Sequence, residues 1–128
     1  MSTVRIVAYG TLMTGERNHI FCRNALGIRP CAIRGTLYDT GWGFPAFVPG
    51  ETGTVRAELM EIPAADWPAV DRLEGYPLLY GRRQITAVPD DGGPVEAWVY
   101  VMNELPPGAK IIPGGDWKNR DRSPQREE

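Results

Sequence analysis

Two short stretches of this chain hold residue types that together could bind an anion and move a proton. The first is Tyr9-Gly10-Thr11-Leu12, which interrupts the apolar run Val4-Arg5-Ile6-Val7-Ala8 and is followed by Gly15 and the pair Asn18-His19. A chain leaving a strand through a tight bend has backbone N–H groups with no ladder partner, and such amides make a cradle for a carboxylate or carbonyl oxygen. The second is Asp71-Arg72-Leu73-Glu74-Gly75-Tyr76-Pro77, where a carboxylate stands at the end of a predicted helix. The negative end of the helix dipole lies there, which disfavours charged Glu74 by roughly 0.3–1 kcal/mol. Leu73, Tyr76 and Pro77 would add desolvation in the same direction. A glutamate pushed toward neutral pH can both accept and release a proton. On residue types alone each stretch also has a plainer and commoner reading. The first is then an ordinary turn, and Glu74 is a solvated side chain paired to Arg72 or to an arginine of the next strand.

Other chemistries fit the residues less well. Only Gly10 and Gly15 flank the bend and no Gly-Lys-Ser/Thr follows, so it is not a nucleotide loop. His19 and Cys22 have the spacing of a metal pair, but one histidine and two cysteines are too few for a zinc site, so no metal is expected. Cys22 and Cys31 read as small buried hydrophobes rather than nucleophiles. The only serines, Ser2 and Ser123, sit near the ends of the chain, which argues against a serine hydrolase. Tyr9, Tyr38, Tyr80 and Tyr100 fall in or beside predicted strands, where a tyrosine is ordinarily half-buried with its hydroxyl bonded.

The elements that must position these residues belong to one domain. With 128 residues, 42% of them apolar, the chain can fill one core but not two. A net charge of −2 argues against a general nucleic-acid surface. No apolar stretch approaches the roughly 20 residues of a bilayer span, and no charged start leads into an apolar leader, so a cytoplasmic location and no membrane partner are expected. Strands are predicted over Val4 to Tyr9, Cys31 to Tyr38, Thr54 to Ile62, Tyr80 to Pro89 and Val95 to Met102. Asp90-Asp91-Gly92-Gly93 reads as a hairpin turn between the last two. Helices are predicted over Arg17 to Leu26 and from Asp66-Trp67-Pro68 to Glu74, the second stopped by Gly75. Gly41-Trp42-Gly43-Phe44-Pro45 reads as an aromatic loop that could line a cavity. Residues 1–105 form the expected domain. Residues 106–128 are expected to be a partly disordered extension in which Trp117 could fold back near the cavity mouth. Many strands, two short helices and no regular strand-helix alternation predict an α+β fold, a small mixed parallel and antiparallel β-barrel with short peripheral helices. Strand one, followed by a helix, is the candidate for parallel pairing.

The order of these features resembles the γ-glutamylcyclotransferase-like superfamily, most of all its γ-glutamylamine cyclotransferase branch. The resemblance is carried by Tyr9-Gly10-Thr11-Leu12, Gly15 with Asn18-His19, Gly43-Phe44-Pro45, Leu73-Glu74-Gly75-Tyr76, Tyr80 with Arg82 and Arg83, and Trp98-Val99-Tyr100. It spans Val4 to Val101, and it implies a small mixed barrel. It implies that Glu74 is the acid/base, that the amides of Tyr9, Gly10, Thr11 and Leu12 grip a γ-glutamyl group, and that Tyr80 and Tyr100 line the pocket. The implied chemistry is of the acyltransferase or lyase type. A γ-glutamyl amide or peptide is cleaved by its own α-amine, releasing 5-oxoproline and a free amine, with no cofactor.

Two competing readings keep the barrel. A noncatalytic protein could hold a carboxylate-bearing metabolite in the same cavity, although a second negative charge from Glu74 would gain it nothing. An interaction module could use Trp42 and Trp117 as surface anchors.

Overall fold

The computed structural model describes residues 2–122. Six strands, β1 (Thr3–Ala8), β2 (Gly27–Asp39), β3 (Pro45–Pro63), β4 (Tyr80–Pro89), β5 (Val95–Met102) and β6 (Lys110–Ile111), accompany one α-helix, α1 (Trp67–Leu73). The sheet runs β3-β1-β5-β4-β2, and β2 also pairs with β3, so five strands close into a barrel with β6 appended to β2. The fold is therefore the expected small mixed barrel with short helices outside it. The one parallel pair is β1 with β5, while β1 with β3, β2 with β3, β2 with β4 and β4 with β5 are antiparallel. β1 thus takes its parallel partner from the far end of the sequence.

Side-chain alternation explains the inside and outside of the barrel. Along β2 the residues Cys31, Ile33, Gly35 and Leu37 are buried and their neighbours are not, as a period of two requires. β1 is flanked on both edges, and Ile6, Val7 and Ala8 are all buried. β3 begins at Pro45, nine residues before the predicted start at Thr54, because residues 45–49 continue the β2 hairpin beyond an irregularity at Arg34/Gly35. There Gly35 has φ +149° and a Cβ would lie 2.4 Å from the Val48 carbonyl, so the excursion of residues 50–53 requires glycine at this position.

Two expectations are corrected. The helix predicted over Arg17 to Leu26 is a single 3-10 turn, His19–Cys22, with only Cys22 buried. Ile20 and Leu26 are exposed, so the apolar contact of this segment is limited to Phe21, Cys22 and Ala25, and the Leu26 amide leaves the helical path to donate to the Glu61 carbonyl. Order also does not fade after Leu105. β6 pairs with Tyr38 and Asp39, the Ile112 amide donates to the Leu37 carbonyl, and the Arg56 amide donates to the Gly115 carbonyl. Trp117 is 1% exposed in the core, its indole N–H donating to Glu16 Oε1 at 3.1 Å and the Arg120 guanidinium lying over its ring. The charged stretch 123–128 lies outside the described residues. No described helix is long and apolar enough to cross a membrane.

Candidate active site

The end of α1 is built by a glycine. Gly75 has φ +68°, its amide donates to Arg72 O, and the Tyr76 amide reaches back to Asp71 O. That pair of bonds is a Schellman stop with glycine at the left-handed position, and it fixes Glu74 as the last residue of the helical turn. α1 is in turn clamped to the barrel wall. Asp71 accepts from the Tyr100 hydroxyl at 2.6 Å and faces Arg82 at 3.6 Å. The Trp67 indole donates to the Tyr100 hydroxyl, and the Arg82 guanidinium lies 3.9 Å from the centroid of Trp67 and 4.3 Å from that of Tyr76. Arg82 is therefore a bolt between helix and sheet, stacked as a cation on aromatic faces.

On the opposite side, the bend after β1 is fully satisfied in its acceptors and open in its donors. Gly10 O accepts from the Met13 amide, and Thr11 O from the Asn18 amide. The Asn18 side chain donates to Thr11 Oγ1, and His19 Nδ1 lies 2.9 Å from Leu12 O. A carbonyl can only accept, so His19 carries its proton on Nδ1. The amides of Gly10, Thr11 and Leu12 donate to no acceptor among the described residues. A site with its carbonyls occupied and its N–H groups free favours a negatively charged or carbonyl oxygen. Gly10 has a steric reason as well, because a Cβ there would stand 2.6 Å from Pro45 Cγ.

Bend and helix end meet at one cavity of about 100 Å³. Its walls include Tyr9, Gly10, Thr11, Leu12, Glu74, Tyr80 and Tyr100, which are all the site residues singled out from the sequence. Burial pushes Glu74 up from its ordinary 4.5 to about 7. The cause is desolvation; the helix-end dipole expected to contribute is not needed, and α1 is only seven residues long. Neither Arg72 nor any other described residue forms an ion pair or a side-chain hydrogen bond with its carboxylate. The tyrosines present ring faces rather than hydroxyls. Tyr9 donates to Tyr100 O, Tyr80 to Pro45 O and Tyr100 to Asp71, all at 2.6–2.7 Å. Burial raises all three phenols, and the nearby Glu74 charge raises them further, so they stay protonated.

Arg17, Phe44, Pro45 and Leu79 also line the wall. Phe44 and Pro45 come from the predicted aromatic loop, whereas nothing in the sequence marked Arg17, which read as the start of a helix. Its guanidinium lies beside Gly43 and has no acidic partner among the described residues. Burial pushes the Cys22 and Cys31 thiols up to about 11 and about 12, so both are protonated and neither is a nucleophile near neutral pH. Trp117 is in the core and away from the cavity mouth, which removes one of the two supposed surface anchors.

Residues 6–119 match the family described as gamma-glutamyl cyclotransferase, AIG2-like. The chain is 33% identical over 120 residues, 93% of its length and 100% of the relative's, to the gamma-glutamylcyclotransferase family protein YtfP of Escherichia coli K12. It is 34% identical over 105 residues, 77% of this chain and 66% of the other, to the gamma-L-glutamyl-butirosin B gamma-glutamyl cyclotransferase of Niallia circulans. The crystal structure of an AIG2-like protein from Mus musculus superposes with a TM-score of 0.73 at 23% identity, over 84% of this chain and 82% of that one.

Proposed function

The chain belongs to the gamma-glutamyl cyclotransferase, AIG2-like family, and from that premise we propose that it cyclises a γ-glutamyl amide to 5-oxoproline and a free amine. One observation carries the reading. A carboxyl group raised to about 7 lines the same cavity as a bend whose acceptors are filled and whose amides are free.

In this mechanism the bend receives the γ-glutamyl group. Glu74, as the carboxylate, takes a proton from the substrate α-ammonium. The freed amine attacks the γ-carbonyl carbon and closes a five-membered ring, and the amides of Gly10, Thr11 and Leu12 stabilise the oxyanion that forms. Glu74 then gives its proton to the leaving nitrogen as the amide C–N bond breaks. The ring nitrogen still carries two hydrogens after the attack and gives one to the Glu74 carboxylate as the lactam forms; both protons end on the released amine, which leaves as an ammonium ion, and no water is consumed. Because nucleophile and electrophile belong to one molecule, the enzyme's main task is to hold a folded conformer; effective molarities for such reactions are worth several kcal/mol, up to about 7–11. A pKa near 7 suits a group that must act as base and then acid at neutral pH. Arg17, a cation at the cavity wall with no acidic partner among the described residues, holds the substrate α-carboxylate. Tyr9, Tyr80 and Tyr100 shape the pocket with their rings.

The test is a panel of γ-glutamyl amides assayed for 5-oxoproline with the parent and with Glu74→Gln. The parent should release it and the variant should lose about 10²–10⁴-fold in kcat. Release by the variant at the parental rate would remove Glu74 from the chemistry. Tight 5-oxoproline binding without turnover of any amide would make the protein a carboxylate binder instead.

A further inference from the structure

Outside the catalytic cavity lies a second, larger depression of about 430 Å³, lined by Trp42, Leu78, Leu79, Leu105, Pro106 and Pro107. Its side chains are unusually bare for apolar residues: Leu78 is 89% exposed and Trp42 60%. The two compartments share a wall, because Leu79 lines both. They are also joined by a run of rings. Trp42 packs on Phe44 at 6.0 Å between centroids, and Phe44, a wall of the catalytic cavity, packs on Tyr80 at 6.4 Å. The floor is held in place. Asn103 donates from its side-chain amide to Pro77 O and Leu78 O, and from its backbone amide to Leu79 O. Its amide donors are thereby used in shaping the groove rather than offered to a ligand.

We infer that this groove is the leaving-amine subsite and that the amine it takes carries a bulky uncharged apolar group, aryl or branched alkyl. The inference rests on the cyclisation reading. The small cavity holds the acid and the open amides, so the scissile amide must sit there, and whatever is bonded to the leaving nitrogen passes Leu79 into the groove. The lining offers no cation to an anionic leaving group and a single carboxylate, Glu104, to a cationic one. Its character is that of indole, leucine and proline surface, which rewards burial of apolar area.

The experiment measures kcat/KM for 5-oxoproline release across γ-glutamyl amides of methylamine, isobutylamine, 2-phenylethylamine and 1-naphthylmethylamine. It uses the parent chain, Leu78→Asp and Trp42→Ala. Leu78 touches no core, so the aspartate variant is expected to fold as the parent does. The parent should prefer the arylalkyl amides over the methylamide by about tenfold or more, and each variant should pull that ratio about tenfold back toward one. A ratio that is flat in the parent, or unmoved by both variants, overturns the assignment while leaving the cyclisation intact. No 5-oxoproline from any of these four amides overturns the subsite if the wider panel of γ-glutamyl amides does release it, and silence in both overturns the cyclisation and this subsite with it. Sedimentation showing a dimer that Leu78→Asp dissociates would give the face to a second copy of the chain, and would likewise overturn the subsite.

Discussion

The two compartments that share Leu79 are built on opposite principles. The inner one is enclosed by largely apolar side chains, and the polar groups within it are tied down: each carbonyl of the Gly10–Leu12 bend has a donor, and each pocket tyrosine hydroxyl has an acceptor. Among the described residues its open groups are three backbone amides, the Arg17 guanidinium and one carboxylate raised to about 7. The outer one is open and defined by exposed apolar surface, with Asn103 bonded to the backbone and Glu104 as its one charged group. A rigid, hydrogen-bonded compartment suits chemistry on a substrate group that never varies. An open apolar one tolerates variety and tunes preference by contact area. Changes in the first should therefore cost orders of magnitude in rate, and changes in the second should redistribute rate among substrates.

The largest effect is expected at Glu74. Besides the loss of turnover, Glu74→Gln should alter stability. A carboxyl whose folded-state pKa is above its unfolded value contributes stability that is full below about 4.5 and is lost as pH rises through about 7. Glutamine lacks that charge, so the variant should be more stable than the parent at pH 8, by about 3 kcal/mol in urea unfolding, and the difference should vanish at pH 4. Equal stability at both pH values would mean that the carboxylate is better solvated than its cavity suggests.

Next is Gly10→Ala, which drives a methyl into Pro45. Shifting the bend should lower kcat/KM by about 10–100-fold and cost about 1–3 kcal/mol of stability, read together from kinetics and thermal melts. A fully active alanine variant would show that the amides do not need this placement.

Asp71→Asn should act more gently and through position. It weakens the tie between α1, Tyr100 and Arg82 and should cost about 1–3 kcal/mol, with a smaller fall in kcat than at Glu74. The smallest effect on the chemical step belongs to Arg17→Ala. It should raise KM about tenfold with kcat little changed, because it removes binding that substrate and transition state share. A fall in kcat alone would give Arg17 a different role.

The residues that were legible in the sequence are those whose local chemistry leaves little choice. The Cys31–Leu37 alternation, the Asp90–Gly93 turn and the Gly75 stop each follow from backbone rules that act within a few residues. The bend was legible only in combination with Leu73-Glu74-Gly75-Tyr76, since a glycine after a strand end more commonly marks an ordinary turn. Barrel closure by the long β2–β3 hairpin was less so, because the excursion at 50–53 makes one pairing look like two unrelated segments. The clamp of Asp71, Arg82 and Tyr100 and the placing of Arg17 depend on contacts between distant parts of the chain. The tail misled for a similar reason. Its proline and glycine content signals a loop, but Trp117 has a core site prepared by Glu16, a hundred residues away in sequence, which composition does not reveal.

The central claim is that burial alone places the Glu74 carboxyl where it can take and return a proton near neutrality. Direct titration of its side-chain carboxyl carbon by NMR in the ligand-free protein tests it without any choice of substrate. A midpoint near 7 is the expected result. A midpoint near the ordinary 4.5 would mean a solvated carboxylate, and would contradict the proton-carrier role on which the cavity's reading depends.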